Sequence, residues 1–225
     1  MIYRYELLNE VQVNHCNDFF DFSNFEDGKK TGSDDKEVKN NQEMAPDETN
    51  AAYKILWGAF SQHEIPHRYL LAYRTSGGLF SRYTKGNHYN WHTDSAYMNE
   101  SVRSDFSTTV FLNNPDEYEG GNLVLKIGNE ILKYKLQKGW AISYPTGTPH
   151  MVEEITEGER KVAIFWTESK FRDQEARNIM IDNYEAMRGL LEKNPDAEKP
   201  SNEFYPIYRS LCDQEQRLNR YRALV

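Results

Sequence analysis

The chain has 225 residues, 27 Lys and Arg against 35 Asp and Glu, and a formal net charge of −8. That length supports one domain with appendages and a sizeable core, and the 15 Tyr, 11 Phe and 4 Trp exclude general disorder. The negative charge argues against nucleic acid as a partner, since phosphate binding needs a surplus of Lys and Arg. Cys16 and Cys212 lie far apart in no metal or redox spacing. No signal-like or membrane-spanning run is visible. Together these predict a cytoplasmic protein with reduced thiols and no membrane partner.

In chain order, Tyr3, Tyr5 and Leu7 alternate as a short strand, and Val13, Cys16, Phe19 and Phe20 recur at helical spacing. Asn24 to Pro46 is polar, with Gly28, Gly32 and the acidic pair Asp34–Asp35, and reads as a long loop. Ala52, Tyr53, Leu56, Ala59 and Phe60 form an amphipathic stripe with Thr49 or Asn50 as N-cap, and Pro66 closes that region.

From about residue 68 to 170 the texture changes to short β-branched and aromatic runs separated by Gly, Asn, Asp and Pro. Strands are expected near 68–75, 78–84, 88–94, 104–113, 121–127, 130–136, 139–144, 149–155 and 160–169. Gly77–Gly78 and Gly128–Asn129 read as hairpin turns, and Asn113 to Gly121 as a longer connection. Strands in succession without interleaved helices mean antiparallel sheets, closed as a barrel or a sandwich. In the last strand Arg160, Val162, Ile164 and Trp166 share one face and Ala163, Phe165 and Thr167 the other, so both faces are covered. After residue 170, Ala176, Ile179, Met180, Tyr184, Met187, Leu190 and Leu191 mark a helix for packing on a sheet. Asn194–Pro195 breaks it, and a final helix carries Phe204, Tyr208, Leu211, Leu218 and Tyr221. The expected organisation is a single domain: 1–67 N-terminal strand, helices and loop, 68–170 core, 171–225 helical extension.

The chemistry centres on Trp91-His92-Thr93-Asp94. In a strand, side chains two apart project together, so His92 and Asp94 would form two legs of a facial metal triad. His150, in the Pro- and Gly-rich approach Tyr144 to Val152, is the best third ligand. A bare His-x-Asp arises readily by chance, and a surface His beside a solvated Asp is the plain alternative. Arg160, ten residues after His150, is either the anchor for an anionic ligand or an exposed strand-end Arg in a surface ion pair. His15, His63 and His67 have no ligand spacing. His88 shares the parity of His92 and reads as surface or packing. Trp166 is explained by core packing or as a wall of the site.

At this point the chain resembles the Fe(II)- and 2-oxoglutarate-dependent oxygenases of the prolyl 4-hydroxylase-like branch, more narrowly the PKHD-type hydroxylases. The similarity rests on Phe25 to Gly32, Lys39-Asn-Asn-Gln42, Arg82-Tyr83, Gly86, Tyr89, His92 and Asp94. It continues through Arg103-Ser-Asp-Phe-Ser107, Tyr118-Glu-Gly-Gly121, Tyr144-Pro145, His150, Gly158-Glu-Arg160 and Phe165-Trp166. Ser95 and Thr146-Gly-Thr-Pro149 depart from the family pattern. The resemblance implies a double-stranded β-helix, or jelly roll, flanked by helices. It implies His92, Asp94 and His150 as Fe(II) ligands, Arg160 on the far carboxylate of 2-oxoglutarate, and Tyr83 at the cosubstrate. It also implies O2 as a reactant, ascorbate as a supporting reductant, and hydroxylation of a prolyl or related residue in a peptide or protein. Two rivals stay open: a non-catalytic jelly-roll module that senses iron or 2-oxoglutarate, and a zinc hydrolase that gives Arg160 no role.

Overall fold

The structure, a computed structural model, describes residues 1–32, 38–98 and 101–222, apart from the side chains of 47, 48 and 222. The pair Asp34–Asp35 lies outside the described residues. The chain forms two compact units, Met1–Ile65 with Arg74–Glu168, and Pro66–Tyr73 with Ser169–Val225.

The first unit is built on two antiparallel sheets. One runs in the order Tyr3–Glu6, Trp140–Pro145, Phe106–Phe111, Arg160–Ser169, Leu79–Tyr83, Gln42–Met44, Phe25–Asp27. The other runs Glu130–Tyr134, Leu123–Ile127, His150–Val152, His88–His92, Lys39–Asn40. The strand orders jump along the sequence, as a jelly roll requires. The sheets close on each other through Tyr83, Phe111, Ile142, Tyr144 and Val162 from the first and Leu123, Leu125 and Val152 from the second. This is the double-stranded β-helix.

The strand Arg160–Ser169 shows why both its faces are apolar. Val162 points into the core between the sheets. Phe165 points outward and meets Phe60 edge-on at 4.9 Å and Tyr53 at 6.0 Å, both from the helix Pro46–Phe60. That helix starts a turn earlier than the expected Thr49 or Asn50 cap. Pro46 occupies its first turn, where a missing N–H costs nothing, Ala45 is the cap, and Thr49 Oγ1 turns back to Met44 O at 3.0 Å.

Three further expectations are corrected. The segment 24–46 is not a plain loop. Phe25–Asp27 and Gln42–Met44 extend the first sheet, Lys39–Asn40 edges the second, and Gly28–Thr31 is a single 3-10 turn. Gly77–Gly78 is not a hairpin turn: Ser76 N donates to Trp166 O at 2.9 Å and Leu79 partners Ile164, so the chain continues along one edge of the long strand. Gly78 is needed there because a Cβ would lie 2.6 Å from the Tyr53 ring. Pro66 does not close a helix but sits within the short helix Glu64–Arg68, near enough to its start to be tolerated. Gly128, at φ 59°, does turn the hairpin between Leu123–Ile127 and Glu130–Tyr134.

In the second unit the helices Gln174–Lys193 and Tyr205–Arg222 fall where the periodicity placed them. Asp173 caps the first by accepting from Ala176 N at 2.8 Å, and Asn194 ends it. Rather than a sheet, Leu71, Phe171 and Leu218 pack with Ala176 and Met180. Cys16 and Cys212 are free thiols. Among the described residues no helix is long and apolar enough to cross a membrane.

Candidate metal centre

The strand His88–His92 pairs with His150–Val152, with His92 opposite His150 and Tyr89 opposite Val152. Three steps on one strand face two on the other, which is a bulge. In a regular strand Tyr89 and His92 would face opposite sides. The bulge turns them together, and their rings stack at 3.5 Å and 12°. The parity argument for Asp94 is therefore corrected, because the strand ends at His92 and Asp94 lies beyond it. The three groups still converge. One ligand atom from each of His92, Asp94 and His150 lies within 4.8 Å of the others, and both Nε2 atoms are 3.7 Å from Asp94 Oδ1.

Each side chain is oriented from behind. His92 Nδ1 lies 2.7 Å from Asn90 O, and His150 Nδ1 3.0 Å from Thr148 O. A carbonyl only accepts, so a neutral imidazole in either place carries its proton on Nδ1 and turns the Nε2 lone pair to the centre. Asp94 Oδ2 accepts from Trp166 Nε1 at 2.8 Å and Ser107 Oγ at 2.7 Å, which leaves Oδ1 toward the imidazoles. Burial, and after it the neighbouring His150, push the His92 pKa down to about 4. The ring is thus neutral at pH 7, the form that binds metal. Two imidazoles and one carboxylate can hold a divalent ion on one face and leave the other open.

The same cavity is lined by Arg160 and Tyr83, partners across their strands. Arg160 is 1% exposed, and its Nε and Nη1 have no hydrogen-bond partner. Its guanidinium carbon lies 5.1 Å from the Tyr83 ring centre and 5.6 Å from that of Phe111, and no carboxylate pairs it among the described residues. A buried cation without a counter-ion is strongly unfavourable. The pocket therefore calls for an anion, and a planar guanidinium matches a carboxylate with two hydrogen bonds. Ser81 Oγ, also buried in this wall, is likewise without a partner.

His15, His63 and His88 are not among the converging groups. His63 packs against Tyr5 at 4.8 Å, His15 is exposed, and His88 Nδ1 turns to Gly86 O at 3.2 Å. His67 belongs to the second unit. Arg103 grips Asp105 with Nε at 3.1 Å and Nη2 at 2.9 Å and reaches Glu168 with Nη1 at 3.3 Å. That fixes the entry to the strand bearing Ser107, which in turn holds Asp94.

Reading 24–46 as a loop missed a part of the cavity wall. Thr31, Lys39 and Glu43 all line it. Lys39 Nζ donates to Glu43 Oε1 at 2.7 Å and to Thr31 Oγ1 at 2.9 Å, and Thr31 Oγ1 lies 2.5 Å from Glu43 Oε2. Lys39 stands 5.2 Å over the Tyr89 ring, which stacks on His92. In the sequence this segment stood out only through its resemblance to a family signature.

A PKHD-type hydroxylase of Acaryochloris marina is 36% identical over 191 residues, 82% of this chain and 85% of that protein. The chain belongs to the PKHD-type hydroxylases. Another member, from Thermosynechococcus vestitus, is 37% identical over 193 residues, 83% of this chain and 86% of that protein. The 2OG-Fe(II) oxygenase superfamily model matches residues 78–168 of the hydroxylase, the stretch that carries the triad and Arg160. Two solved structures share its fold. A Pseudomonas putida prolyl-4-hydroxylase matches with TM-score 0.51 and 18% identity over 75% of this chain and 92% of that one. A Trichoplax adhaerens prolyl hydroxylase, solved in complex with a hypoxia inducible factor peptide fragment, matches with TM-score 0.58 and 15% identity over 75% and 84%. The hydroxylase is an oxygenase enzyme that uses Fe(II), 2-oxoglutarate and O2.

Proposed function

We propose that the hydroxylase inserts one oxygen atom of O2 into a C–H bond of a prolyl or related residue in a peptide or protein. The other atom goes to 2-oxoglutarate, which loses CO2 and becomes succinate. In this reading His92, Asp94 and His150 hold Fe(II), and Arg160 takes the far carboxylate of 2-oxoglutarate with Tyr83 beside it. One observation carries it: a buried guanidinium without a counter-charge lines one cavity with two imidazoles and a carboxylate.

Bound iron supplies O2 activation, and the chain supplies placement. The Nδ1 contacts hold both imidazoles in the ligand tautomer, and Trp166 and Ser107 fix which oxygen Asp94 presents. Asp94 as a ligand leaves no place for a halide, which favours hydroxyl transfer. The prolyl substrate is supported by the prolyl hydroxylases of Pseudomonas putida and Trichoplax that share the fold, the latter holding a peptide. Fe(II) and two free thiols suit the cytoplasm. The test is succinate formation with Fe(II), ascorbate and 2-oxoglutarate, with and without Pro-containing peptides, plus mass spectrometry for one added oxygen. Iron-loaded protein that fails to bind 2-oxoglutarate refutes the proposal. Binding and succinate release without an oxygenated peptide would refute the prolyl substrate alone.

A further inference from the structure

The wall formed by Lys39 and Glu43 says something about the group that enters the cavity. Lys39 is 3% and Glu43 5% exposed, so the pair has left water. Buried ion pairs seldom add stability over apolar residues, so a specific role is the better account of one facing a reaction site. An ammonium has three N–H donors. Glu43 and Thr31 take two of them, and among the described residues the third has no oxygen or nitrogen acceptor, only the face of the Tyr89 ring 5.2 Å away.

The charges of the cavity can be counted. Among the described residues its lining holds two cations, Lys39 and Arg160, and two carboxylates, Glu43 and Asp94. The imidazoles are neutral as ligands, and a phenol at its ordinary pKa of about 10 carries no charge at pH 7. Fe(II) and doubly negative 2-oxoglutarate then add nothing to the total. With these charges the loaded cavity is electrically balanced before the primary substrate arrives, and a charged substrate group buried against Lys39 and Glu43 would unbalance it.

We infer that this cavity selects an uncharged residue of its primary substrate, and that the free N–H of Lys39 donates to a carbonyl oxygen of that substrate. Glu43 and Thr31 act as positioning residues that aim the ammonium. The inference rests on the proposed function for the charges of iron and cosubstrate, but not on the target being proline.

The test uses protein loaded with Ni(II) and 2-oxoglutarate, which binds without turnover, and blocked pentapeptides with Pro, Asn, Asp or Lys at the centre. Calorimetry should find the Pro and Asn peptides bound at least about tenfold more tightly than the Asp and Lys peptides. Asn and Asp are nearly isosteric, so that comparison on the unsubstituted chain isolates charge without any variant. Glu43→Gln should move the preference toward Asp, and Lys39→Met toward Lys. The double variant should keep the neutral preference but bind the Asn peptide more weakly, by about tenfold, through loss of the carbonyl contact. Equal binding of Asn and Asp peptides, binding of none of the four, or charge variants that fold without shifting the preference would overturn the inference. Uptake of 2-oxoglutarate is measured first. Its absence refutes the proposed function and the inference together, whereas uptake followed by indifference to charge overturns the inference alone.

Discussion

The two oxygens of Asp94 face different company, and that difference shapes the metal centre. Oδ2 is held by Trp166 and Ser107, and Oδ1 faces the two imidazoles, free for the proposed ion. Trp166→Phe keeps an aromatic ring in the wall but removes the N–H donor. It should weaken divalent metal binding by roughly 10- to 100-fold, the usual cost of losing an outer hydrogen bond to a ligand. Co(II) titration checks this, and unchanged affinity would reduce Trp166 to core packing. His92 carries a second prediction. Its pKa is about 4 in the folded metal-free protein, below the ordinary 6.5 of the unfolded chain, because burial and then His150 disfavour the charged ring. Between those values the unfolded chain holds a proton that the native ring does not. The stabilising contribution is therefore complete above pH 6.5 and is lost as pH falls toward about 4. Urea unfolding of the metal-free protein across that window should show stability falling with acidity, and His92→Gln should flatten the slope.

The strand Arg160–Ser169 depends on the turn that delivers it. Gly158 has φ 74°, and a Cβ there would lie 2.3 Å from Glu117 O and 2.8 Å from Tyr118 Cα, both backbone atoms, the second in the strand residue paired with Gly158. Neither can swing aside as a side chain would. Gly158→Ala should cost about 1–3 kcal/mol through strain and displaced backbone. It should also raise the half-saturating concentration of 2-oxoglutarate, because Arg160 follows two residues later. A thermal melt and a cosubstrate titration measure the two effects. At this scale the sequence was readable wherever side chains drive the structure. The doubly apolar run from Arg160, the Gly128 hairpin and the stripes of the last two helices all declare themselves by periodicity. It was unreadable where backbone pairing alone decides. Lys39–Asn40 and Gln42–Met44 are polar and too short to alternate, so edge strands passed for loop and the Lys39 wall went unseen. The bulge beside His92 defeats parity for the same reason. It reverses the face of a residue without any side-chain signature, and places Tyr89 rather than His88 beside His92. His92, Asp94, His150 and Arg160 were legible as a set through their spacing and the family resemblance. Trp166 was visible only as one of two equal options.

For the molecule as a whole, the metal-free state bears costs that its ligands remove. Arg160 is buried without a counter-charge, and the triad brings two imidazole lone pairs against a carboxylate oxygen at 3.7 Å. Whatever binds only the native state stabilises it by mass action, about 2.7 kcal/mol at a hundredfold excess over the dissociation constant. For a chain of this size that corresponds to a rise of roughly 5–10 °C in Tm. The two ligands should act in order. Ni(II) alone should raise the Tm of the unsubstituted protein, and adding 2-oxoglutarate should raise it again, because in the proposed site the cosubstrate uses both the open metal positions and Arg160. Arg160→Ala should keep the metal increment and lose most of the cosubstrate increment. Asp94→Ala should lose both, since the chelating end of 2-oxoglutarate then has no ion to meet. Differential scanning fluorimetry on the three proteins with each ligand combination separates these outcomes. A cosubstrate increment that survives Arg160→Ala would mean that the far carboxylate is bound elsewhere, and the unpaired guanidinium would need another anion.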